Sequence, residues 1–300
     1  MIIVRLRKAL YGLKQAPWLW HDDINAFLLS LVFTQSSADP NLYLHHYGIL
    51  IHLYVDDISM SYLEAATKAA IEVKAKLSEK YKIMKLGLEH QFLAIEIHPD
   101  DTGISLSQTV YIATILRQFG MEHTHGFQMP MNPNLMLNLG KDRGEKEPEQ
   151  EDITDYQAVV ELLMYTACAT WPDISYMVAA LSHYNLRPFT SHMTASKTVF
   201  QYLKSTADFR LQFTGNGIEI GNSLGGYLDS DWANDNADRR SPGGHEFLAS
   251  NGAVCGQSQK QGLIAKSTLK AEFIACSEAS REAKWLLQLQ NDIHGSQKEW

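Results

Sequence analysis

A chain of 300 residues, 45% hydrophobic and 20% charged, has the length and composition of a folded protein with two mixed domains. Its net charge of −8 excludes a basic field over the whole molecule, although Arg5, Arg7, Lys8 and Lys14 make a basic start. Cys168, Cys255 and Cys276 form neither a disulfide framework nor a zinc spacing, no run reaches the ~18–20 apolar residues of a membrane span, and no secretory signal opens the chain, so an intracellular setting, cytoplasm or nucleus, is expected.

In chain order, "QAPWLWHDDINAFLLSL" carries Trp18, Leu19, Ile24, Phe27, Leu28 and Leu31 at helical spacing, with Pro17 in the first turn. "NLYLHHYGILIHLYVDDISMSYL" predicts strand, turn at Gly48, strand, tight turn at Asp56 and Asp57, strand. "EAATKAAIEVKAKLSEKY" predicts a helix, "QFLAIEIHPDDTGISLSQ" a β-hairpin turning at "PDDTG", and "TVYIATILRQFGM" a helix ending near Gly120. Residues 121–155 are polar and charged, the best linker candidate. Helices are expected near 156–169, 173–185 and 193–206, then strands through "RLQFTGNGIEIGNSLGGYLDSDWA". One long helix, "STLKAEFIACSEASREAKWLLQLQNDI", ends the series. The order describes an α+β protein.

Asp56 and Asp57 raise the functional question. Asp is common in turns, and two solvated turn carboxylates are the plain alternative. The flanks "ILIHLYV" and "ISM" nevertheless resemble central strands. Adjacent carboxylates at the lip of a buried hairpin repel one another and invite Mg²⁺ or Mn²⁺, which pairs one or two carboxylates with substrate phosphates. Two such ions serve in-line phosphoryl transfer.

"LYGLKQAPWLW" (10–20) and "YVDDI" (54–58) together resemble the copia-type Pol polyprotein of long-terminal-repeat retrotransposons, in its reverse transcriptase–ribonuclease H region. The resemblance continues in order through "FLAIEI", "LSQTVYI", "MYTACATWPDISY", "LDSDWANDNADRRSPGG" and "KSTLKAEF", over almost the whole chain.

The resemblance implies a partial reverse-transcriptase palm and thumb over 1–125, a linker and helical connection over 126–220, and a ribonuclease H-like domain, without its C-terminal part, over 221–300. Asp56 would bind metal with Asp57 as its companion, and Tyr54 would lie near the primer end. Gln15 and Ala16 would border the incoming nucleotide and template, and residues 108–120 would begin the thumb. Asp229, on a strand, and Glu272, on a helix, would be the ribonuclease H carboxylates and metal ligands. The implied cofactor is Mg²⁺ or Mn²⁺. The implied partners are an RNA/DNA template–primer duplex and deoxynucleotides.

The family carries a third palm carboxylate upstream, whereas residues 1–9 contain no Asp or Glu. A further ribonuclease H Asp is expected beyond the "EAKWLL" helix, and Asp292, at a helix end, is not expected to replace it. Both sites are therefore expected to be incomplete. The alternative to an enzyme is a non-catalytic nucleic-acid-binding remnant or pseudogene product. Trp18, Gln157, Glu161, Trp171 and Lys270 stand where the family usually has Arg, Arg, Gly, Arg and Glu. Each change can arise from one C-to-T step, as in a deaminated, unselected copy. Glu161, in the apolar "AVVELLMY", is expected to fit a core poorly.

Overall fold

The computed structural model describes residues 10, 12–84, 87, 90–131, 146–214, 224–235 and 238–295. The chain forms two compact units. One is Met1–Glu89 with Lys284–Trp300; the other is His90–Ala283. It is a mixed helix and sheet protein, and no described helix is long and apolar enough to cross a membrane.

In the first unit, α1 (Ala16–Ser30) begins with Pro17 in its first turn, where a missing N–H costs nothing. The antiparallel sheet runs β1 (Phe33–Gln35), β2 (Leu42–His45), β3 (Ile49–Tyr54), β4 (Asp57–Tyr62), neighbours in that order. The three-residue β1 was not expected, being too short to show a period. On β3, Ile49, Ile51 and Leu53 are buried and alternate with less buried partners, so a one-residue slip would turn the apolar set outward. Gly48, at φ +71°, makes the β2–β3 turn. A short 3₁₀ turn, Glu64–Ala66, leads into α2 (Thr67–Lys80). Ile24 and Leu28 of α1 and Ala70, Val73 and Leu77 of α2 close the core over Tyr43, Ile49, Ile51 and Leu53.

The tail of the last helix belongs to the same unit. Its Asp292 carboxylate accepts bonds from Ser36 Oγ at 2.7 Å and from the backbone N–H groups of Ser37 and Ala38 at 2.8 and 3.2 Å. Burial pushes the Asp292 carboxyl up, and these bonds with the Ser37 hydroxyl outweigh it and hold it below the usual range. Asp292 is thus a cap for the 36–38 loop.

The second unit holds two sheets. One runs β5 (Gln91–Phe92), β6 (Ile95–Asp100), β7 (Gly103–Ser107), β8 (Leu211–Thr214). The expected hairpin at 95–107 is present, but Leu93 and Ala94, both at positive φ, turn the chain where unbroken alternation was expected. This sheet joins residues on both sides of 125, with β8 pairing with β7. The other sheet is β9 (Gly225–Ser230), β10 (Pro242–Ala249), β11 (Gly252–Lys260), with β10 central.

α3 (Thr109–Gln118), α4 (Gln150–Ala169), α5 (Ser175–Ser182) and α6 (Thr190–Ser205) enclose a core that includes Ile112, Tyr156, Leu163, Ile174, Met177, Val199 and Phe200. α4 starts six residues before the expected 156, because Glu149 and Asp152 form a reciprocal capping box. Glu161 is exposed on α4, which corrects the expected misfit. Trp18 and Lys270 are also exposed, Gln157 donates to the Asn185 carbonyl, and buried Trp171 stacks on Phe209. α7 (Thr268–Gly295) follows, with Ala271, Ala275 and Ala279 buried along one stripe. Arg5, Arg7, Lys8 and residues 132–145 of the expected linker lie outside the described residues.

Candidate active site

The β3–β4 hairpin is closed by the Tyr54–Asp57 pair, which leaves a two-residue tip of Val55 and Asp56. Asp57 therefore belongs to β4, not to the turn. Tyr54, Val55, Asp56 and Asp57 are all exposed, in contrast to Leu53 just behind them. The apolar alternation of β3 ends at the point where the carboxylates begin. Hydration at this lip removes most of the cost of placing two like charges side by side.

The head of α1 is brought to the same tip. Gln15 occupies the position before the helix, and its side chain makes no cap bond there. Ala16 is the first helical residue, and Lys14 is exposed beside it. One turn on, the Trp20 indole N–H donates to the Val55 carbonyl at 2.6 Å. The Trp20 ring meets Tyr81 edge-on at 5.1 Å, and the Tyr81 hydroxyl donates to Asp23 Oδ2 at 2.7 Å. Lys80 lies 3.1 Å from the same carboxylate. The Tyr81 hydrogen bond, then Lys80, hold the Asp23 carboxyl below its ordinary range, while burial pushes the Tyr81 phenol up. Trp20 was not singled out in the sequence as a functional residue. Its helical spacing to Ile24 and Leu28 was the available signal.

The second pair of expected carboxylates is built differently. Asp229 is exposed on β9, opposite Gly244, and its Oδ1 accepts from the Ser230 N–H at 2.8 Å. Glu272 is exposed in the first turns of α7. Their sequence neighbours are tied together by buried Gln261, which sequence reading missed. Its Nε2 donates to Ser230 Oγ at 3.0 Å and to the Ala271 carbonyl at 2.8 Å. Successive residues on a strand point to opposite faces, so Asp229 points away from the side on which Ser230 meets Gln261.

Oxygen-only donors suit a hard divalent cation, and one or two carboxylates with phosphates and water complete such a site. Asp56 and Asp57 fit that description in donor type and in access. Among the described residues no group of three or more His, Cys, Asp or Glu side chains is placed to hold a metal ion.

Residues 2–133 match the family model described as reverse transcriptase (RNA-dependent DNA polymerase). The chain is 31% identical to the Pol polyprotein of transposon TNT 1-94 from Nicotiana tabacum, over 100% of this chain and 23% of that polyprotein. It is 33% identical to the Pol polyprotein of transposon RE2 from Arabidopsis thaliana, over 97% of this chain and 19% of that one. The chain thus spans about a fifth of these relatives' length. A transposon Ty5-1 protein of Saccharomyces cerevisiae is 31% identical over 91% of this chain and 87% of its own length. No solved structure matches the chain.

Proposed function

The chain belongs to the copia-type retrotransposon Pol polyprotein family, in its reverse-transcriptase region, and on that premise we propose that residues 1–125 are part of a reverse-transcriptase palm and thumb and that residues 221–300 are ribonuclease H-like. The observation that carries the reading is the hairpin tip. Inside the segment that matches the polymerase family, a buried strand ends in an exposed pair of carboxylates, with the head of a helix fastened to the same turn.

Reverse transcriptases use divalent metal ions and bind template–primer. Asp56, with Asp57 beside it, would hold Mg²⁺ or Mn²⁺, which when bound supplies charge stabilisation for phosphoryl transfer. Tyr54, exposed and flanking the tip, would touch the primer end. Gln15 and Ala16, at the head of α1, would face nucleotide and template. Residues 108–120, which include α3, would begin the thumb and grip the duplex by its backbone, a mode that gives affinity with little sequence preference. Asp229 and Glu272 would be the ribonuclease H carboxylates.

On this reading the described residues supply two carboxylates, Asp56 and Asp57, where polymerases of this type use three. Positioning and charge stabilisation supply most of the rate in phosphoryl transfer, so a partial site loses far more than a proportional share. We therefore propose an inactive or nucleic-acid-binding state for the chain on its own. The experiment adds Mn²⁺ to the isotope-labelled chain and follows amide signals by NMR. Broadening centred on residues 54–58, abolished by Asp56→Asn, is the expected result. An even effect along the chain would overturn the palm assignment. A parallel primer-extension assay on an RNA template, with Mg²⁺ or Mn²⁺, is expected to show no product. Extension that Asp56→Asn removes would overturn the inactive state.

A further inference from the structure

We propose that Trp20 is a positioning residue for the carboxylate hairpin: its indole N–H holds the Val55 carbonyl, and through it the turn that aims Asp56 and Asp57. The link to activity rests on the palm reading above; the structural role does not.

The turn needs such support. Val55 sits at φ +55°, in the left-handed region. Two-residue hairpin tips favour Gly, Asn or Asp at such positions, and a β-branched residue there is an outlier that persists only where its surroundings over-determine it. The ladder between β3 and β4 stops at Tyr54 and Asp57, so the tip lies beyond its pairs. The support comes from 35 residues away, as the 2.6 Å bond from Trp20.

Trp20 is a fixed donor. It lies four residues before Ile24 and eight before Leu28, both fully buried against the sheet, so the helix wheel carries its ring along the same stripe to the hairpin's end. Tyr81 meets the ring edge-on, and Asp23 in turn holds Tyr81. Trp18, two residues earlier, points elsewhere and is 70% exposed. Two tryptophans in one helical turn thus have different fates, and only Trp20 reaches the tip.

The test removes the N–H and keeps the shape. Trp20 is replaced in the full chain by β-(3-benzothienyl)alanine, which has sulfur in place of the indole N–H. Trp20→Phe serves as a second, genetically encoded variant. Amide hydrogen exchange is read at Val55–Ile58 and along α1 and α2. Exchange at the tip is expected to rise about fivefold, the factor that one typical net hydrogen bond corresponds to, with α1 and α2 unchanged. Mn²⁺ broadening at residues 54–58 should weaken in the same variant. Unchanged tip exchange in both variants overturns the proposal. So does faster exchange spread equally through α1 and α2, which would mark Trp20 as ordinary packing. If the unaltered chain shows no Mn²⁺ broadening, the palm reading fails, and the exchange data still decide the role of Trp20.

Discussion

The two pairs of carboxylates differ in how they are held. Asp56 and Asp57 are neighbours in sequence, and one hairpin places both. Asp229 and Glu272 lie on a strand and a helix, and their sequence neighbours Ser230 and Ala271 are joined by a buried side chain, Gln261, that belongs to neither element. A pair set by local structure needs only the sheet beneath it. A pair set by packing needs a polar bridge that stays dry and keeps its partners. The first arrangement should fail when its apolar floor is removed, and the second when one hydrogen-bonding group is removed.

The largest effect is expected at that floor. Ile51 is fully buried between His52 and Leu50 on β3 and faces the core with Ile49 and Leu53. Ile51→Ala should destabilise the first unit by about 2–5 kcal/mol, the usual cost of a deleted buried aliphatic side chain. Denaturant unfolding read at first-unit amides checks this. A loss under about 1 kcal/mol, no more than an average single mutant shows, would show that the turn stands without the floor, and would break the comparison from that side.

Gln261→Ala tests the other side. It leaves the Ala271 carbonyl without its Gln261 donor and removes one of the partners of Ser230 Oγ, which also donates to the Pro242 carbonyl. Unpaired buried polar groups cost about 1–3 kcal/mol. The loss should appear in the second unit and leave amide exchange at 54–58 unchanged. Asp229→Asn, at an exposed position, should change the same measurement by less than about 0.5 kcal/mol. If the two substitutions had equal effects, Gln261 would not be the tie that orders this region.

The same contrast explains what was legible. The β2–β4 segment follows from local signals: apolar alternation, Gly48, and acidic residues at a tight turn. α4's true start also had a local signal, Glu149 three residues before Asp152, overlooked beneath the charge of the linker region. Trp20 and Gln261 had no local signal for their partners, because a hydrogen bond across 35 residues, or to two separate elements, has no period. Asp292 looked like any exposed helix-end carboxylate; its four hydrogen-bond donors from Ser36, Ser37 and Ala38 are brought to it only by the fold. Leu93 and Ala94 read as strand because the apolar pattern runs through them, yet both adopt positive φ, which apolar residues rarely signal.

The smallest expected effect gives the sharpest sign. Asp56 is exposed, with Asp57 next to it in the chain. Among the described residues no ion pair joins either carboxylate to a cation. Without divalent metal, Asp56→Asn removes one member of a like-charged pair and leaves the apolar floor untouched. Stability should therefore rise slightly, by no more than about 0.5 kcal/mol, as for an exposed site away from packing. The gain should shrink in salt, since screening at ~1 M acts over roughly 3 Å. Denaturant titration at low and high ionic strength, in the presence of a chelator, measures both. A destabilisation of more than about 1 kcal/mol, the typical cost of losing a structural cap or buried bond, would make Asp56 a structural residue of the turn. The rise, by contrast, is what is expected of a residue whose charge the fold tolerates rather than uses.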